Sequence, residues 1–84
     1  MRNDNIVKQL KEIIYDISNI KNNDMDDVIL FNPAWGLDPR EIVYLFLLIQ
    51  EQIGVTFTSH EINDISFFTL NNIADRIEKS MVNG

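Results

Sequence analysis

The chain has no cysteine among its 84 residues, so it has no disulfide framework and no thiolate metal or redox chemistry. A single histidine, His60, excludes a metal site built from several imidazoles. Positive charge is scarce: 7 Lys and Arg stand against 13 Asp and Glu, for a net charge of −6. The basic residues are scattered and form no patch, which argues against a nucleic-acid partner. Long hydrophobic runs are missing too. The longest, Ile42 to Ile49, has eight residues and is far too short to span a bilayer. The start, Met-Arg-Asn-Asp-Asn, leads into an amphipathic segment and not an apolar signal-peptide core. These absences lead us to expect a soluble, cytoplasmic protein with no nucleic-acid and no membrane partner.

What is present is a foldable composition, 45 % apolar and 24 % charged, in a length that allows one domain spanning residues 1–84. A chain of this size buries roughly 60–65 % of its unfolded surface, enough for a modest core but not for a deep catalytic cavity. The first helix is announced by Ile6, Val7, Leu10, Ile13, Ile14, Ile17 and Ile20, which fall on one stripe at 100° per residue, with Lys8, Lys11, Glu12 and Asp16 outside it. Asn3 or Asp4 suits its cap, and the turn formers Asn22, Asn23 and Asp24 are expected to stop it.

Residues 21–37 carry no helical period. Val28-Ile-Leu-Phe31 lacks a partner strand, so it is read as an ordered loop that lays apolar side chains on the helices and ends at Asn32-Pro33. Such a long loop in a small domain is often a functional feature.

Asp38-Pro39 then opens a second helix, expected over 39–52. The Asp side chain caps free N–H groups, and proline suits the first helical position, where no N–H is needed. Ile42, Leu45, Phe46, Ile49 and Ile53 form its core stripe, while Arg40, Tyr44, Leu47 and Glu51, flanked by Val43 and Leu48, lie opposite. Gly54 ends it. Val55-Thr-Phe57 continues extended, and Thr58-Ser-His-Glu61 fits a capping box that opens a short helix holding Ile62 and leading to Ile65. Thr69 caps a last helix with Leu70, Ile73, Ala74, Ile77 and Met81 on one face and Lys79 in its final turn, and the tail Val82-Asn-Gly84 is expected to fray. The expected fold class is all-α: a small bundle of three main helices plus one short helix, with a long loop between the first two.

This order of elements resembles the acyl and peptidyl carrier proteins over nearly the whole chain. Leu10-Lys-Glu-Ile-Ile-Tyr-Asp-Ile17 looks like the carrier first helix, and Asp27-Val-Ile-Leu-Phe31 like the acidic-then-apolar stretch before the attachment motif. Glu51-Gln-Ile-Gly-Val-Thr-Phe57 is similar to the Glu-x-Phe-Gly ending of the second helix. Asp64-Ile-Ser-Phe-Phe-Thr-Leu-Asn-Asn-Ile-Ala-Asp-Arg-Ile77 is similar to the last-helix signature of peptidyl carriers. A more particular resemblance is to the acyl carrier-related small proteins of bacterial peptide maturation systems.

The resemblance implies a phosphopantetheine-bearing serine in a Gly-x-Asp-Ser-Leu motif. Here the matching residues are Gly36-Leu-Asp-Pro-Arg40, and Pro39 stands where that serine should be. Ser18, Ser59, Ser66 and Ser80 lie in other elements. The implied role is therefore a non-enzymatic docking or accessory module in peptide maturation, without cofactor or metal. It would meet a protein partner, a maturation enzyme or a precursor peptide, through helix 2. Partner-binding candidates are Trp35, Arg40, Val43, Tyr44, Leu47 and Glu51, with Trp35 alternatively a packing anchor of the loop and the outer face of helix 2 alternatively covered by residues 21–37. The other functional reading is a genuine carrier with an atypical or relocated attachment site.

Some features have blander explanations. Asp38 and Glu41 are accounted for by helix capping and the helix dipole, and His60 by a solvated helix start. Asp24, Asp26 and Asp27 lack the glycine and terminal glutamate of a calcium loop.

Overall fold

The apolar stripes resolve into three long α-helices that bury them against one another, with a fourth, one-turn helix beside them. The computed structural model describes residues 4–21 and 25–83. Helix α1 spans Asp4–Ser18, α2 Pro39–Gln52, α3 Ser59–Ile62 and α4 Leu70–Asn83; short 3-10 turns occupy Pro33–Trp35 and Ile65–Phe67. The fold is all-α, and no strand occurs among the described residues. Helix α1 lies against both α2 and α4. The radius of gyration is 11.9 Å, matching the value of about 12 Å for a compact domain of this length.

Each long helix contributes the stripe that its spacing dictates. Leu10, Ile13 and Ile14 of α1, Ile42, Leu45 and Ile49 of α2, and Leu70, Ile73, Ala74 and Ile77 of α4 are buried. Full burial of one such aliphatic side chain is worth about 1.5–3 kcal/mol, so these three stripes hold the bundle together. Met81 departs from the expected pattern. It is 61 % exposed, whereas Ile77, one turn earlier on the same face, is fully buried.

Helix α1 stops earlier than its apolar spacing implies. Asn19 takes the left-handed conformation, φ 61°, and its N–H bonds back to the Tyr15 carbonyl at 2.8 Å. Asparagine tolerates that conformation better than most residues, so it ends the helix as glycine does elsewhere. Ile20 consequently belongs to the loop and packs on the core from there. Asn22, Asn23 and Asp24, expected to form the stop, lie outside the described residues, as do Asn3 at the start and Gly84 at the end. Helix α4 continues to Asn83, so Lys79 is not in its final turn.

The loop between α1 and α2 is ordered by its own side chains. Leu30 is fully buried, and its N–H donates to the Phe68 carbonyl at 2.8 Å. The 3-10 turn is an addition to the expected loop. Asn32 caps it by accepting from the Ala34 N–H at 2.9 Å, and Gly36 closes it at φ 71°. Lys11 of α1 pairs with Asp26 at 2.9 Å, while the Asn71 N–H of α4 donates to the Asp26 carbonyl at 3.1 Å. The carboxylate of Asp26 and the backbone around it thus tie the loop to two helices.

Helix α2 begins as its sequence demands. Asp38 accepts from the Arg40 N–H at 2.9 Å, and Glu41 reaches back to accept from the Asp38 N–H at 2.8 Å. Its C-terminal end is set by Gly54 at φ 84°. Val55 and Phe57 then return to the core.

Candidate functional site

The outer face of α2 is uncovered. Val43 is 62 % exposed, Tyr44 51 % and Leu47 54 %, and Arg40 and Glu51 are exposed beside them. The loop that precedes α2 packs elsewhere, so five of the six candidate partner-binding residues share one solvent-facing surface. The sixth does not. Trp35 is 2 % exposed, its indole Nε1–H donates to the Val28 carbonyl at 3.0 Å, and it anchors the loop from inside. A tryptophan this deeply placed with its polar atom satisfied is a packing residue and leaves the surface set.

Beside the exposed face runs an apolar groove of about 580 Å³. One wall is α2, through Pro39, Val43, Leu47 and Gln50. The other is the α3 segment, through Ile62, Asn63 and Ile65, with Phe31 nearby and Ile42, Phe46 and Phe68 at the base. Ile62 is 47 % exposed and Ile65 63 %, and both share the groove lining with the exposed Val43 and Leu47 of α2.

The base of the groove belongs to a larger cluster that joins all five phenylalanines of the chain. Phe46 lies 5.1 Å from Phe57 and 5.2 Å from Phe68, Phe57 lies 5.7 Å from Phe67, Phe67 lies 6.1 Å from Phe68, and Phe31 lies 5.0 Å from Phe68. Four of these five contacts are edge-to-face, the arrangement favoured by the ring quadrupole. Phe31 and the two isoleucines were not among the residues that sequence reasoning singled out. Ile62 and Ile65 sit in a segment too short to display an apolar stripe, and Phe31 reads as one more loop side chain directed inward.

The groove wall has its own polar frame. Thr58 and Glu61 form the expected capping box: Glu61 Oε1 accepts from the Thr58 N–H at 2.9 Å, and Thr58 Oγ1 accepts from the Glu61 N–H at 3.2 Å. The other carboxylate oxygen, Oε2, receives Arg76 Nε–H from α4 at 2.6 Å. Arg76 also donates to the Thr56 carbonyl at 3.3 Å and lies over the Phe57 ring at 6.0 Å. Partial burial pushes the Glu61 carboxyl upward. The Thr58 backbone N–H, the hydrogen bond and charge of Arg76, and the Thr58 hydroxyl together outweigh it and hold the group below its ordinary value.

At the position where the resemblance to carriers implies an attachment serine, this chain has no hydroxyl. Pro39 occupies the first position of α2. The other serines are engaged or remote in sequence: Ser18 Oγ donates to the Ile14 carbonyl at 2.7 Å, and Ser66 Oγ donates to Asp64 at 2.7 Å. Ser59 is exposed at the first residue of α3 and Ser80 is half-buried on α4. His60 is exposed on α3. Among the described residues no group of three or more His, Asp or Glu is arranged to hold a metal ion, and no helix is long and apolar enough to cross a membrane. No family model, no curated protein and no solved structure matches the chain.

Proposed function

We propose that this chain is an acyl carrier-related protein that has lost the phosphopantetheine attachment serine and serves as a non-enzymatic docking module in peptide maturation. The observation that carries the reading is the uncovered α2 face. Val43, Tyr44 and Leu47 are all more than half exposed on a helix whose opposite side buries Ile42, Leu45 and Ile49. Leaving three large apolar side chains in water brings the folded monomer no advantage, and burying them against a protein partner recovers that free energy. Arg40 and Glu51 stand at the ends of this patch, where opposite charges on a partner set its orientation. Pro39, which starts the helix with no N–H to waste, also removes the hydroxyl that a tethered arm requires.

The partner is a maturation enzyme or a precursor peptide. Two measurements test the reading together. The intact mass after co-expression with a phosphopantetheinyl transferase is expected to stay unchanged; a gain matching one phosphopantetheine makes the chain a true carrier with a relocated site. The Tyr44→Asp, Leu47→Asp double variant is expected to fold and to lose co-purification with its maturation partner. Retention of that partner at wild-type level refutes the surface.

A further inference from the structure

The wall of the groove facing α2 is built differently from everything around it. Residues 58–66 lie between Phe57 and Phe68, both buried, yet within that stretch only Glu61 is even half-buried. Neither α3 nor the 3-10 turn after it contributes a buried side chain. The wall is therefore fixed to the body at its two ends by phenylalanines and, between them, by polar contacts rather than packing. Two of those contacts come from the same helix. Asn72 Nδ2–H donates to the Ser66 carbonyl at 2.8 Å, and Arg76 Nε–H donates to Glu61 at 2.6 Å. Asn72 and Arg76 are four residues apart on α4, so they sit one above the other on one face and grip the wall at two points.

No residue of α4 lines the groove, whose walls are α2 and the 58–66 segment. Asn72 and Arg76 thus hold the wall from a helix that takes no part in the groove lining. Across the gap stand Ile62 and Ile65 on one wall and Val43 and Leu47 on the other, all four largely exposed. Apolar surfaces facing each other across water are driven to meet. Closure would have to move the wall that the two α4 contacts hold.

We propose that Asn72 and Arg76 form a clasp that holds the α3 segment back against α4 and keeps the apolar groove open, and that releasing the clasp lets Ile62 and Ile65 close onto Val43 and Leu47. The clasp regulates the site assigned above to docking, and rests on that reading only in sharing its surface. Because Glu61 uses one oxygen for its capping box and the other for Arg76, the helix cap and the clasp are joined in one carboxylate. Closing the groove would cover Leu47, a central residue of the docking face.

The test is a comparison of the full chain with its Asn72→Ala, Arg76→Gln variant by methyl NMR and by binding of the neutral apolar probe N-phenyl-1-naphthylamine. The wild type is expected to show no close contacts between the Ile62 or Ile65 methyls and those of Val43 or Leu47, and to bind the probe. The variant is expected to show those contacts and to bind the probe at least tenfold more weakly. The single variant Arg76→Gln is expected to shift both readouts in the same direction by less. Unchanged methyl contacts in the double variant overturn the clasp, and leave the docking reading, which is measured on Tyr44 and Leu47, untouched. Loss of folding in both variants overturns it as well, since Arg76 is then part of the framework and not a release.

Discussion

The indole nitrogen of Trp35 donates to the carbonyl of Val28, seven residues earlier, across 3.0 Å. That bond closes the second half of the long loop on itself and lets a large aromatic body sit at 2 % exposure beneath it. The loop is tied to α1 and α4 through Asp26 and to the Phe68 carbonyl through Leu30, and it leaves Val43, Tyr44 and Leu47 exposed. Trp35 thus takes the loop inward, while Tyr44 and Leu47 stay exposed.

Replacing Trp35 separates its two contributions. Trp35→Phe keeps most of the buried area and leaves the Val28 carbonyl without this donor, so it is expected to cost about 1–2 kcal/mol. Trp35→Ala removes the packing as well and is expected to cost about 3–5 kcal/mol. Urea titrations of the two variants check this, and equal losses would mean that the hydrogen bond contributes nothing separable.

Gly36 and Gly54 form a matched pair. Both have positive φ, 71° and 84°, and a Cβ at Gly36 would meet only the Ile20 Cδ1 at an ordinary 3.7 Å, while one at Gly54 would meet nothing within 4 Å. The cost of Gly→Ala is therefore backbone strain at both, about 1 kcal/mol each. A much larger loss at position 36, read as a difference in urea midpoint, would show that the loop closes more tightly there.

The two faces of α2 are expected to respond oppositely. Leu45→Ala and Ile49→Ala, at 1 % and 0 % exposure, should each cost about 2–5 kcal/mol through lost burial and cavity formation. Tyr44→Asp and Leu47→Asp should each stay within about 0.5 kcal/mol of wild type, as surface changes do. Thermal unfolding of the four single variants distinguishes a docking face from a hidden one: large losses at 44 or 47 would mean that the face is covered in solution.

Acid is expected to weaken the wall through Glu61. Its carboxyl is held below its ordinary value of 4.5 in the folded chain, so the folded state binds fewer protons than the unfolded one near that pH. The resulting stabilisation is fully present above the unfolded value and is lost as pH falls through the lower folded one. The other carboxylates titrate in the same range, so the readout is a difference. Glu61→Gln should narrow the stability gap between pH 6 and pH 3 relative to wild type in urea titrations at both pH values. An unchanged gap would mean that Arg76 adds nothing to the ionised form.

Much of the helical frame was legible in local chemistry. Asp38-Pro39 started α2 at the expected residue, Gly54 ended it, and Thr58 with Glu61 formed the capping box, because caps act within four residues and need no tertiary partner. The buried stripes of α1, α2 and α4 followed from periodicity for the same reason. The end of α1 was misplaced because Asn19 and the Asn22 cluster carry the same turn chemistry, and only the backbone path selects between them. Met81 shares the face of Leu70, Ile73, Ala74 and Ile77 and is nonetheless exposed, because periodicity cannot say how far along a helix its stripe is covered.

The sequence alone determined an all-helical chain with no cysteine, one histidine and a proline at the start of α2. It also determined that the face of α2 carrying Val43, Tyr44 and Leu47 is apolar. Whether that face meets water was decided only by the tertiary structure, since it depends on where the preceding loop packs, and Trp35 took that loop inward. The facing wall of Ile62 and Ile65 was likewise decided there. Two residues in a four-residue helix and a single 3-10 turn have no period to read, and their neighbours across the groove are supplied by a helix more than ten residues earlier in the chain. Pro39 begins the helix that carries the exposed face and lines the groove beside it, a coincidence of position that neither its sequence neighbours nor its own chemistry discloses.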